Sequence, residues 1–131
     1  MRTLLFSTLL LTLVFGSGLT ANAQKTEQAT VTVNQQKKFS RSKLKIKFIS
    51  VEDSRCPEDV KCVWAGNAKV TIKVTNRKGE SKTFELNTNL QPQSVKFDGY
   101  EIKLGEVAPH PRSNIRINPS GYNAVFIVNK L

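Results

Sequence analysis

A single histidine, two cysteines and one tryptophan in 131 residues leave little material for metal or nucleophilic chemistry. A zinc site needs three or four nitrogen, sulfur or carboxylate ligands. Cys56, Cys62 and His110 are the only Cys and His residues present, and His110 is wedged between two prolines. A Ser-His-Asp relay needs a base, and His110 is the only histidine. Nucleophile-elbow, glycine-rich phosphate-loop and His–carboxylate metal motifs are missing. The carboxylate pairs Glu52-Asp53 and Glu58-Asp59 are sequence neighbours, so an extended chain sends the two members of each pair to opposite sides. They read as turn and solvation residues, not as a glycosidase pair. These absences predict no catalytic residue, no metal and no cofactor, hence a protein that is not an enzyme.

Acidic residues are also scarce, ten against twenty Lys and Arg, for a net charge of +10. That balance favours anionic partners such as acidic glycans or lipid headgroups. Nucleic acid fits poorly, because no aromatics are interleaved with the lysines as single-strand binders require. Long apolar runs are confined to the start of the chain, where Leu4 to Val14 follows the basic Met1-Arg2. With the small-residue tail Ala21-Asn22-Ala23, this pattern predicts a secretory signal peptide over 1–23 and a mature chain from Gln24. No later stretch approaches a bilayer span, so no transmembrane segment is expected in the mature chain. No cysteine follows the cleavage signal to carry a lipid. The expected location is periplasmic or secreted, and residues 24–131 are the size of one domain.

Helical periodicity is the last absence, and alternation takes its place. Leu44, Ile46 and Phe48 alternate with Lys43, Lys45 and Lys47; Ala68, Val70, Ile72 and Val74 alternate with Lys69, Thr71, Lys73 and Thr75. A period of two marks half-buried antiparallel strands. Further strands are expected at Ala29–Val33, around Phe84 and Leu86, at Val95–Phe97, beyond the Asp98-Gly99 turn at Tyr100–Leu104, and at Tyr122–Val128, the last central in its sheet. The lead QKTEQA is expected to be loose, and Asn34–Lys38 to be a turn. About seven short strands predict an all-β, single antiparallel β-sandwich of the immunoglobulin-like kind, with a small open β-barrel as the alternative. If the two lysine strands share a sheet, Lys43, Lys45, Lys47, Lys69 and Lys73 line one outer face as a candidate anion-binding surface.

Between these strands lies DSRCPEDVKCVWAG, residues 53–66. In an exported chain two cysteines with no third predict a Cys56–Cys62 disulfide, worth about 2 kcal/mol for so short a loop. Thiol redox sites use two intervening residues, and here there are five. Asp53 is expected to accept backbone N–H groups, Arg55 to pair with Asp53, Glu58 or Asp59, and Pro57 to shape the ring. Gly66 fits a bulge or turn, and Trp64 is expected to bury beside the ring as a core plug. Taken together, the motif and its flanking strands resemble a functionally uncharacterised group of small exported bacterial proteins and lipoproteins. Their shared core is DSRCP, a few residues, then C-x-W-A-G. The resemblance covers most of residues 40 to 130 and implies the domain, without an activity.

The sequence therefore favours a binding or scaffolding module of the periplasm or cell envelope, with an anionic envelope component or another exported protein as partner. The alternative is a protease inhibitor: Asn118-Pro119-Ser120-Gly121-Tyr122 resembles the NP-T-T-G-Y loop of the immunoglobulin-like, chagasin-like cysteine protease inhibitors.

Overall fold

A computed structural model describes residues 26–131, together with the isolated positions Gly16 and Gly18. The expected signal peptide and the Gln24 start lie outside the described residues. The described chain forms eight strands: β1 Thr26–Thr32, β2 Gln36–Lys38, β3 Lys45–Asp53, β4 Ala68–Thr75, β5 Ser81–Asn87, β6 Ser94–Phe97, β7 Tyr100–Ala108 and β8 Asn123–Lys130. They make two four-stranded antiparallel sheets, ordered β1-β8-β7-β6 and β2-β3-β4-β5, which pack as the expected β-sandwich. Sequence neighbours stay adjacent within each sheet, and only the β8–β1 ladder joins distant strands. Among the described residues there is no Greek-key crossover of the immunoglobulin kind. The ladders do not run on from β1 to β2 or from β5 to β6, so the sheet does not close into a barrel.

Local chemistry explains most boundaries. Asp98 and Gly99 take φ of 50° and 77°, the left-handed pair that a tight hairpin turn requires between β6 and β7. β1 begins earlier than the alternation suggests, because Thr26–Gln28 pair with Asn129–Ile127 and the Thr26 hydroxyl donates to Asn129 Oδ1 at 2.7 Å. The expected turn at Asn34–Lys38 is shorter than predicted: Gln36–Lys38 form edge strand β2 against β3.

The core lies between the sheets. Leu44, Ile46, Phe48, Val70, Ile72 and Val74 enter from one side, and Ile102, Ala124, Phe126 and Val128 from the other. Phe48 and Phe126 meet edge-to-face across the middle, ring centroids 6.0 Å apart. Truncating either to alanine removes about 3–5 kcal/mol of packing. Phe84 of β5 and Phe97 of β6 pair at 5.8 Å where the hydrogen-bonded ladder is interrupted, so aromatic packing takes over from the ladder there.

Candidate functional site

Two regions carry the residues singled out by the sequence, one end of the sandwich and the outer face of one sheet. The first depends on a bulge. Phe48 opposes Ile72 and Ser50 opposes Thr71, leaving Ile49 as an extra residue in β3. Before the bulge even-numbered residues face the core. After it the odd-numbered ones do, so Val51 and Asp53 turn inward while Glu52 faces out. Asp53 thus sits at the mouth of the sandwich, where its side chain is 5 % exposed.

Arg55 meets it there. The guanidinium donates from Nε to Asp53 Oδ1 and from Nη2 to Oδ2, both at 2.8 Å, a two-pronged match of fork to carboxylate. Nη1 and Nη2 also donate to the carbonyls of Val107 (2.7 Å) and Pro109 (2.8 Å), where β7 leaves the opposite sheet. Tyr122, just before β8, donates its hydroxyl to Asp53 Oδ2 at 3.0 Å. Burial pushes the phenol up, and the Asp53 carboxylate adds to it, to about 12. Burial alone would raise Asp53, but the hydrogen bonds from Arg55 outweigh it and hold the carboxyl below its usual range. Of the three acids expected to attract Arg55, Asp53 takes it.

The Cys56–Cys62 disulfide closes the ring beyond this tie, Cα atoms 5.9 Å apart. The 109–115 segment clamps the ring. Glu58 N–H donates to Pro111 C=O at 3.0 Å, and the Ser113 amide (2.9 Å) and hydroxyl both donate to the Asp59 carboxylate. The Ser113 hydroxyl and amide hold Asp59 below its ordinary value. His110 Nε2 lies 3.1 Å from the Cys56 carbonyl oxygen, a structural contact. Pro57 C=O accepts from Val60 N–H inside the ring. Gly66, at φ 72°, runs so close to Ser54 that a Cβ would collide with the Ser54 carbonyl oxygen and lie 2.8 Å from Arg55 Cα. The expected turn is present there, and only glycine fits it.

Trp64 departs from expectation. It is 80 % exposed and its neighbour Val63 is 91 % exposed, so Trp64 is not a core plug. Residues 54–67 leave the sheet, and the mouth beneath them is already filled by Arg55, Asp53 and Tyr122. Leu90 and Ile115 are exposed on the other two long loops of this end. The Asn118–Tyr122 segment is a 3-10 turn in which Asn118 Oδ1 accepts from the Ser120 amide and hydroxyl, while Tyr122 is buried on Asp53.

The second region is the outer face of the β2-β3-β4-β5 sheet. Its register places Lys38 opposite Lys45 and Lys47 opposite Lys73, in adjacent rows. None of these four has a carboxylate within salt-bridge distance among the described residues. Two of the five candidate lysines behave differently. Lys69 stands beyond the bulge in a row with Glu52, whose carboxylate is 3.2 Å from its Nζ; Glu85 is at 3.9 Å. The Glu52 contact raises its pKa, and this lysine belongs to an ion-pair row, not to the basic patch. Lys43 is not in β3 at all. It takes φ 62° in the preceding turn, its N–H bonded to Phe39 C=O at 2.9 Å. Sequence reasoning missed Lys38, since its segment read as a turn; the signal was the Lys37-Lys38 pair next to the buried Phe39.

Among the described residues no group of three His, Cys, Asp or Glu is placed to hold a metal ion, and no helix is long and apolar enough to cross a membrane. Compared with protein-family models, curated proteins and solved structures, the chain matches none.

Proposed function

We propose that this protein is an exported, non-catalytic binding module of the cell envelope that docks on anionic surfaces, acidic glycan or lipid headgroups, through the lysine face. One observation carries the reading: Lys38, Lys45, Lys47 and Lys73 occupy two adjacent cross-strand rows with no acid within salt-bridge distance among the described residues. Like charges directly opposite each other in a sheet destabilise it. An anionic partner relieves that repulsion on binding. The disulfide and the clamped ring suit an oxidising, protease-exposed compartment. The test is retention on heparin and on anionic vesicles across a salt series. Steep loss of binding with salt, and its abolition by combined Lys45→Gln, Lys47→Gln and Lys73→Gln, is expected. Salt-independent retention, or an unaffected triple variant, rejects the reading.

The exposure of Val63 and Trp64 beside a rigid ring favours a second reading, contact with a protein, of which protease inhibition is the specific form. A papain-like protease panel tests it: inhibition should weaken with Trp64→Ala and with Gly121→Asp, and an uninhibited panel ends it.

A further inference from the structure

At the end of the lysine face away from the disulfide ring, the sheet surface deepens into a shallow concavity. Lys38 ends β2, Lys43 sits in the following turn, Lys45 begins β3, Thr75 ends β4, and Asn76 and Arg77 close it from the β4–β5 connection. Four cations, each from a different segment, therefore converge on one hollow, and no acid lines it. The acid of that connection, Glu80, is instead held by the Asn76 side-chain amide at 3.3 Å.

Both turns around the hollow are fixed by hydrogen bonds that leave their cations free. Glu27 reaches across from β1 and accepts the N–H groups of Arg41 (2.6 Å) and Ser42 (2.9 Å), pinning the 39–44 turn. Within that turn Lys43 adopts the left-handed conformation that glycine or asparagine normally fills. Strained positions of this kind persist only where their surroundings hold them, and they cluster at ligand sites. Opposite, buried Asn76 accepts the N–H groups of Lys78 (3.0 Å) and Glu80 (2.9 Å), which locks the connection that carries Arg77.

From this geometry we infer that the hollow is a binding site for a compact, multiply charged phosphate group, a phosphomonoester or diphosphate. The inference rests on the anionic-surface reading and assigns it a specific anchor. Arg77 supplies the planar fork that suits two phosphate oxygens, and the three lysines act as point charges around it. The more charge a compact anion carries, the better it matches this cluster, which favours pyrophosphate over sulfate and a monoester over a singly charged diester. Lys47 and Lys73 continue the positive surface for the rest of the ligand.

The test uses inorganic pyrophosphate against sulfate at equal ionic strength, followed by amide chemical shifts. A second arm uses vesicles of neutral lipid doped to equal charge with phosphatidic acid, a monoester, or phosphatidylglycerol, a diester. Pyrophosphate should shift the Lys43, Arg77 and Gly79 amides at concentrations where sulfate does not. Arg77→Gln and Lys43→Gly should each weaken it about tenfold, the cost of one charge-assisted contact. Lys43→Gly suits the left-handed turn and so preserves the fold. Lys73→Gln should have a much smaller effect on pyrophosphate. Preference for phosphatidic acid identifies a lipid headgroup as the source; pyrophosphate binding without that preference identifies a soluble phosphate compound. Equal response to pyrophosphate and sulfate, or equal losses in the Lys43, Arg77 and Lys73 variants, overturns the site while leaving the anionic surface standing. Failure of pyrophosphate, of every anionic vesicle and of heparin to bind overturns both.

Discussion

Each end of the sandwich is closed by one carboxylate on the inner side of a strand, reaching toward the opposite sheet, yet the two are satisfied in different ways. Glu27 is met by backbone N–H groups and a serine hydroxyl; these hold its carboxyl below the usual range although burial opposes them. Asp53 is met by a side-chain cation that in turn holds two carbonyls of the other sheet. Backbone donors survive any substitution except proline, whereas a side-chain donor is lost with one. The ring end is thus the more breakable closure. It has its main charges paired and apolar side chains outside, while the lysine end leaves its cations unopposed.

The largest effect should come from removing the tie. Arg55→Ala strands Asp53 in a buried position and should cost about 3 kcal/mol in denaturant unfolding, since breaking a buried pair leaves an uncompensated charge. A loss below about 1 kcal/mol would show that the ring end does not depend on Arg55. Replacing both Cys56 and Cys62 by alanine should cost about 2 kcal/mol, because a short loop returns only modest chain entropy on opening. A much larger loss would mean that the disulfide also supports the tie.

Tyr122→Phe should cost about 1.5 kcal/mol, one hydrogen bond to a charged acceptor. It should also change the alkaline limb. The folded phenol titrates at about 12 against an ordinary 10.0, so its contribution is full below pH 10 and is lost as pH rises toward 12. The variant should lack that decline. Asp53 works in the opposite sense: its folded pKa is depressed below the ordinary 3.8, so its contribution is present above that pH and lost below it in both proteins. The smallest effect belongs to Trp64→Ala, expected within about 0.5 kcal/mol of wild type, as for other exposed positions. A cost near 3 kcal/mol would restore the core-plug assignment.

What could be read from the residues follows from the range of the interactions. Strand alternation is local, so Ile46, Phe48, Val70 and Ile72 declare their face within a few residues, and the Asp98-Gly99 turn declares itself in two. The fate of Trp64 is not local. An aromatic after a cysteine fills a core only if that core has room, and here the room is taken by Arg55 and Tyr122, residues 67 apart in sequence. The exclusion of Lys69 from the basic face had a visible cue: the apolar phase of Ile46 and Phe48 does not run on to Val51, and such a slip marks a bulge. Lys43 gave no comparable cue, because the pattern of Leu44, Ile46 and Phe48 extends across it whether or not the backbone there is a strand.

The extra residue Ile49 makes β3 sensitive to pairing register more than to composition. Replacing its side chain touches little, since it is 36 % exposed and opposes no partner. Deleting the position would leave Glu52 facing out and Asp53 facing the mouth as they do now, since Ser50 already follows Phe48 in the ladder. Drawing Ile49 into the ladder would instead exchange the roles of the last two acids, driving Glu52 into the mouth and Asp53 out to solvent. Arg55 would lose its carboxylate and Lys69 its counter-ion in one step. At this point in the chain, a one-residue insertion, or a slip that pairs Ile49, is a rewiring of the charge network, whereas most substitutions are only a change of surface.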